Sequence, residues 1–173
     1  MGKLARMLSS EGKDLKEATF WCRRAAYAAE PDINAIFCVV GTSLFGNAAY
    51  GVKQNVQEAL SLLNKIVVGE QWWVAPLISA IYADDHLGVK NEVTAAQWYN
   101  QFDQRKDSSR RHVIDVRDSF WACPARDDGK SLNDWCYDAV AKAKAIWEKS
   151  SYNTSKAEED VKEAAVGFEG DED

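Results

Sequence analysis

The tightest group of ionisable residues in this chain is Asp84-Asp85-His86. Two carboxylates beside an imidazole could hold a divalent cation or move a proton. The simpler expectation is a solvated turn, because Leu87-Gly88 follows at once. Asp127-Asp128-Gly129 lacks the remaining oxygen ligands of a calcium loop and also suits a turn. His112 could activate a cysteine nucleophile on paper, but its near neighbours are Arg110 and Arg111. No serine or cysteine sits in a nucleophile elbow, and no glycine-rich loop is set to cradle a phosphate. With two histidines and no Cys-x-x-Cys pair, the expectation is no catalytic centre, no cofactor and no metal.

The four cysteines are Cys22, Cys38, Cys123 and Cys136. Cys123 and Cys136 flank the Pro124–Lys130 turn, one ending a helix and one opening the next. A bridge between them would close a loop of roughly a dozen residues and add about 3 kcal/mol if unstrained. It is expected if the protein is exported. Adjacent Trp72 and Trp73 cannot both face inward at one helix start, since neighbouring helical residues point about 100° apart. Either one of them is an exposed anchor for a partner, a role in which tryptophan is enriched, or both pack on neighbouring helices. Together with Tyr82, Asp84, Asp85 and Tyr99 they form the candidate partner-binding set.

Those residues need a scaffold, and composition says which kind. The chain has 173 residues, 46 % hydrophobic and 28 % charged, as expected of one folded domain or one short array. A net charge of -6 argues against broad affinity for nucleic acid or an anionic membrane. No apolar run approaches the roughly 18 residues that span a bilayer. Met1–Ser10 lacks the apolar core of a signal peptide. The compartment expected is the periplasm if a leader has been removed, and otherwise the cytoplasm.

Helical periodicity runs through the chain. Asp14–Ala29 reads as a helix capped by Asp14 and stopped by Glu30-Pro31-Asp32. Asn34–Phe45 is apolar on most sides and predicts a buried helix. Asn55 caps a helix to about Val68, and Gly69 stops it. Trp72–Ala83, Glu92–Phe102, His112–Cys123 and a Ser131-capped helix to Lys149 follow. Ser155–Phe168 is a further helix or a frayed one, and Glu169–Asp173 is an acidic tail. Essentially no sheet is expected.

One phrase occurs twice. Gly51-Val52-Lys53-Gln54-Asn55 returns as Gly88-Val89-Lys90-Asn91-Glu92, 37 residues later. A period of this size predicts stacked helical hairpins. Ala18-Thr19-Phe20-Trp21-Cys22-Arg23-Arg24-Ala25-Ala26, Ala96-Gln97-Trp98-Tyr99, Val40-Gly41 and Ile78-Ser79-Ala80-Ile81-Tyr82 resemble the helices of the Sel1-like repeat, a relative of the tetratricopeptide repeat. Ser79 stands where that family usually has glycine, and Ala59-Leu60-Ser61-Leu62-Leu63 replaces its aromatics with leucine. The resemblance covers residues 4–102. Leu4–Leu8 looks like the remnant of an earlier second helix, so the array begins mid-repeat or has been trimmed there.

The resemblance implies antiparallel helix pairs and a right-handed superhelix with a concave binding side. Cys22 and Cys38 are expected to be two buried thiols acting as small hydrophobes; some members of the family tie paired helices with disulfides, which makes a Cys22–Cys38 bridge the alternative. The resulting expectation is an all-α helical-hairpin solenoid over residues 1–102, a divergent C-terminal helical cap over 103–168 and an acidic tail over 169–173. The function expected is non-enzymatic protein–protein interaction. Its sharper form is a bacterial immunity protein that neutralises a secreted toxin, as several Sel1-like proteins resemble in role. An adaptor or regulator in bacterial signalling or cell-envelope assembly is the alternative, and a hydrolase of cell-wall material is the third.

Overall fold

The computed structural model describes residues 15–68, 74–105 and 132–150. These residues form six α-helices: α1 Leu15–Ala26, α2 Ile33–Phe45, α3 Val56–Val68, α4 Ala75–Ala83, α5 Glu92–Asp103 and α6 Leu132–Glu148. Among them there is no strand, only one isolated antiparallel bridge between Asn47 and Val52. The all-α expectation therefore holds. Of the described helices, none is long and apolar enough to cross a membrane. Asp14, Trp72, Trp73, the 112–123 helix and everything beyond Ser150 lie outside the described residues.

α2 is the helix that the apolar run predicted. Phe37, Val40 and Leu44 have no exposed surface, because neighbours cover the helix on both sides: α1 packs on one and α3 on the other. Asp32 does more than end α1. Its carboxylate accepts the backbone N–H of Asn34 at 2.9 Å and of Ala35 at 3.1 Å, which satisfies two otherwise orphaned donors at the start of α2. α4 and α5 pair closely, and α6 lies against both. α3 meets α4 over only a short stretch. A continuous core nonetheless joins Leu62 and Leu63 of α3 to Ile78 and Ile81 of α4 and to Trp135 and Ala139 of α6.

The repeated phrase folds the same way at both places. Gly51 has φ +67° and Gly88 φ +73°, a left-handed backbone that glycine adopts without a Cβ penalty. Each phrase then ends in an asparagine N-cap. Asn55 Oδ1 accepts the Glu58 N–H at 3.1 Å, and Asn91 Oδ1 accepts the Thr94 N–H at 3.0 Å. The backbone N–H of each asparagine bonds back to the preceding helix, Asn55 to Ser43 O at 2.7 Å and Asn91 to Tyr82 O at 2.8 Å. The glycines are 37 residues apart, but the caps are 36 apart. The second corner is thus one residue shorter, and α5 starts one position earlier in its phrase than α3.

Candidate functional site

The first corner borders an open groove of about 720 Å³ between α1 and the start of α3. α1 contributes Lys16, Phe20 and Arg23 to it. Their spacing of four and then three residues puts them on one helical face. The corner contributes Lys53 and Gln54. Phe20 is 56 % exposed, and its ring stands edge-on to Trp21 at 5.3 Å.

The groove's inner wall is fixed by Glu58. From α3 its carboxylate receives both guanidinium nitrogens of Arg23, the Nη2 contact at 2.9 Å. It also accepts the Tyr27 hydroxyl at 3.0 Å and the Ser43 hydroxyl at 2.9 Å. One carboxylate thereby ties α1, α2 and α3 together. Burial alone would raise the Glu58 carboxyl, but the hydrogen bonds from Arg23, Ser43 and Tyr27, with the charge of Arg23, outweigh burial and leave it below its ordinary value. Arg23 is therefore spent on the fold.

The corner is equally constrained. Asn47 and Val52 exchange backbone hydrogen bonds at 2.8 and 3.0 Å, and Gln54 Nε2 donates to Leu44 O at 2.9 Å. Gly46 has φ +72°, and a Cβ placed there would stand 2.9 Å from the Gln54 backbone nitrogen. The aliphatic stem of Lys16 lies over Gly51, with its carbons at 3.6 to 3.8 Å from where a Cβ would be. Lys16 and Lys53 are both exposed and have no ion-pair partner among the described residues.

The residues singled out from sequence are placed elsewhere. Asp84 is buried, not solvated. Its Oδ1 accepts the N–H groups of His86 at 2.7 Å and Leu87 at 3.1 Å, and its Oδ2 accepts the indole N–H of Trp135 at 2.7 Å. Asp85 is exposed and pairs with Lys142 of α6 and with Lys90 at 2.8 Å. Hydrogen bonds from Lys142 and then Lys90 hold its carboxyl down at about 2. Tyr99 is core, 8 % exposed, with its ring 5.9 Å from Phe102 and 5.4 Å from Trp147. Tyr82 is half-buried and lines a second, more polar groove of about 520 Å³ with Gln57, Asn64 and Lys65.

Cys22 and Cys38 are thiols in this structure and hydrogen-bond with each other. Cys136 is buried on α6, but its candidate partner Cys123 lies outside the described residues. Among the described residues, no group of three or more metal-ligating side chains gathers.

Sequence reasoning missed the groove at the first corner. The one local signal for it is that Lys16, Phe20 and Arg23 recur at helical spacing on α1. Compared with protein-family models, with curated proteins and with solved structures, the chain matches none.

Proposed function

We propose that this chain is a non-enzymatic helical scaffold that binds another protein, and that its first-corner groove receives an acidic stretch of that partner carrying an aromatic or large apolar side chain. The supporting observation is a difference between the two lysines of the repeated phrase. Lys90 is neutralised by Asp85 at 2.8 Å and Glu92 at 3.1 Å. Lys53 occupies the same place in its phrase, but the positions matching Asp85 and Glu92 are Ala48 and Asn55. No described residue answers its charge, and Lys16 brings a second such charge to the same groove.

Two like charges gathered at one cavity do not stabilise a fold; they suit an anionic ligand. Exposed ammonium–carboxylate contacts contribute only about 0.2–1 kcal/mol each, so charge sets specificity and capture rate more than affinity. Phe20 supplies the apolar contact that charge cannot, as aromatic anchors do at interfaces. Binding of a short segment in the micromolar range, about -8 kcal/mol at the tight end, is the expected scale.

A Sel1-like hairpin array is the architecture we assign to this scaffold, supported by the matching glycine corners and asparagine caps. Its narrower role is that of an immunity protein, with a loop of a toxin seated in the groove and so occluded. Selection from a displayed library of random ten-residue peptides tests the broader reading. The expected winners carry Asp or Glu around an aromatic residue and are lost on the Lys16→Glu/Lys53→Glu double variant. Basic winners, or winners indifferent to that variant, overturn it. Protection of cells from a toxin encoded beside this chain, abolished by the same variant, tests the narrower role.

A further inference from the structure

Two thiols meet at the seam between α1 and α2. Cys22 lies about one turn before the end of α1, and Cys38 about one turn after the start of α2. The seam around them is made of small side chains. Ala18, Ala25 and Ala26 share the inward face of α1 with Cys22, and Ala35 precedes Cys38 by three residues on α2, all of them buried. The Asp32 N–H donates to Ala25 O at 3.3 Å and closes the turn between the helices. In this seam the two sulfurs come into hydrogen-bond contact. They differ in access: Cys22 is buried, whereas Cys38 is half-buried and partly open to solvent.

We propose that Cys22 and Cys38 are a reversible thiol–disulfide latch on α1, entered at Cys38 by exchange with a small soluble disulfide.

The small disulfide is the only oxidant required. The Cys38 thiolate attacks one of its sulfurs; a bond forms to that half, and the other half leaves as a thiolate. The departing thiolate takes the Cys22 proton. The Cys22 sulfur then attacks Cys38 and expels the remaining half as a second thiolate, which takes up the proton that Cys38 gave up at the start. The protein thiols lose two electrons and two protons, and one small disulfide becomes two small thiols.

The order of these steps follows from the contact. Thiolate is the attacking form, and Cys38 is the sulfur that an incoming molecule can touch. Cys22 holds its proton tightly: the hydrogen bond with Cys38 comes first among the causes, then burial, then the charge on Cys38. A mixed disulfide at Cys38 removes the first and third of these, because the capped sulfur carries no charge and accepts hydrogen bonds only weakly. Cys22 is thus released for attack only after Cys38 has reacted, and it already lies beside its target. Among the described residues α1 has its main contact with α2, and the Arg23–Glu58 pair joins it to α3. A covalent link to α2 therefore governs how readily α1 lifts away, which gives the redox state a structural readout.

The experiment treats the reduced full chain with oxidised glutathione and maps each cysteine by peptide mass, so that Cys123 and Cys136 are read separately. The natural chain is expected to yield a peptide pair joined through Cys22 and Cys38, with no lasting glutathione adduct, and dithiothreitol should return both thiols. Cys22→Ala should stop at the mixed disulfide on Cys38, and Cys38→Ala should leave Cys22 unmodified. Closing a loop of this length should raise the thermal midpoint of the natural chain by about 6–12 °C and slow amide exchange along α1, with identically treated Cys38→Ala as the control for the other two cysteines. A lasting glutathione adduct on Cys38 of the natural chain, an adduct on Cys22 of Cys38→Ala, or no reaction at either thiol would each overturn the proposal. The peptide masses of the natural chain decide the matter even if the alanine variants fail to fold.

Discussion

Asp84 and Trp135, 51 positions apart in sequence, meet in the interior through a 2.7 Å hydrogen bond from the indole N–H to Oδ2. The same carboxylate organises its own corner through the N–H groups of His86 and Leu87. One side chain thus shapes the turn after α4 and fastens α6 to it. Asp84→Asn keeps the shape but not the chemistry. If the amide oxygen serves the backbone, the amide NH2 faces the indole donor. We expect a loss of about 2 kcal/mol, with Trp135→Phe costing about 1–2 kcal/mol. In a double-mutant cycle read by chemical denaturation the two should be coupled by about 1 kcal/mol. Additive effects would mean that the contact contributes nothing. Asp85→Asn, on an exposed pair, should leave the midpoint nearly unmoved.

Glu58 makes stability depend on pH in a defined direction. Its carboxyl sits below the ordinary value in the folded state. Its contribution is therefore complete above the unfolded carboxylate pKa, about 4.3, and is lost as pH falls through the lower folded value. Denaturation midpoints measured between pH 7 and pH 3 should fall on the acid side. Glu58→Gln should lower stability at pH 7 by about 2 kcal/mol and flatten the acid limb. An unchanged acid limb in that variant would remove Glu58 from the account.

The Cys22 thiol should be sluggish. Its hydrogen bond with Cys38 and its burial both push its pKa far up, and the thiolate is the reactive form. Iodoacetamide at neutral pH is expected to leave Cys22 unmodified in the native protein and to label it once denaturant is added. Rapid labelling of native Cys22, located by peptide mass, would contradict the packing of α1 on α2.

Two glycines of nearly equal φ should respond differently to alanine. Gly88 has open space where a Cβ would go, so Gly88→Ala meets only the left-handed backbone penalty of about 1–2 kcal/mol. Gly46→Ala meets that penalty and the Gln54 backbone 2.9 Å away, and should cost about 3 kcal/mol or more. Thermal denaturation of the two variants side by side reads the difference.

What the sequence made legible was local. The stretches Asn34–Phe45, Asn55–Val68 and Glu92–Phe102 stood out because apolar period, caps and stop residues agree there, and the helices fall within a residue of them. The matching glycine corners were visible as a repeated phrase. The one-residue shift of the second cap was hidden, because Asn91 and Glu92 can both open a helix. Asp84 was misjudged as solvated since its partner Trp135 is remote in sequence, and no local pattern signals an indole donor. Tyr99 read as a binding residue for the same reason: Trp147, which helps bury it, lies on α6. The groove depends on how α1 lies beside a corner 30 residues further on, so Lys16 and Lys53 could not be associated before the helices were placed.

The most direct test of the central claim is a charge-swap measurement by titration calorimetry. An eight-residue peptide with one phenylalanine and four Asp or Glu residues, and its counterpart with lysine at those four positions, are each titrated into the natural chain and into Lys16→Glu/Lys53→Glu. The account predicts that the acidic peptide binds only the protein with lysines 16 and 53, and the basic peptide only the reversed one. Equal binding of the acidic peptide to both proteins would contradict it.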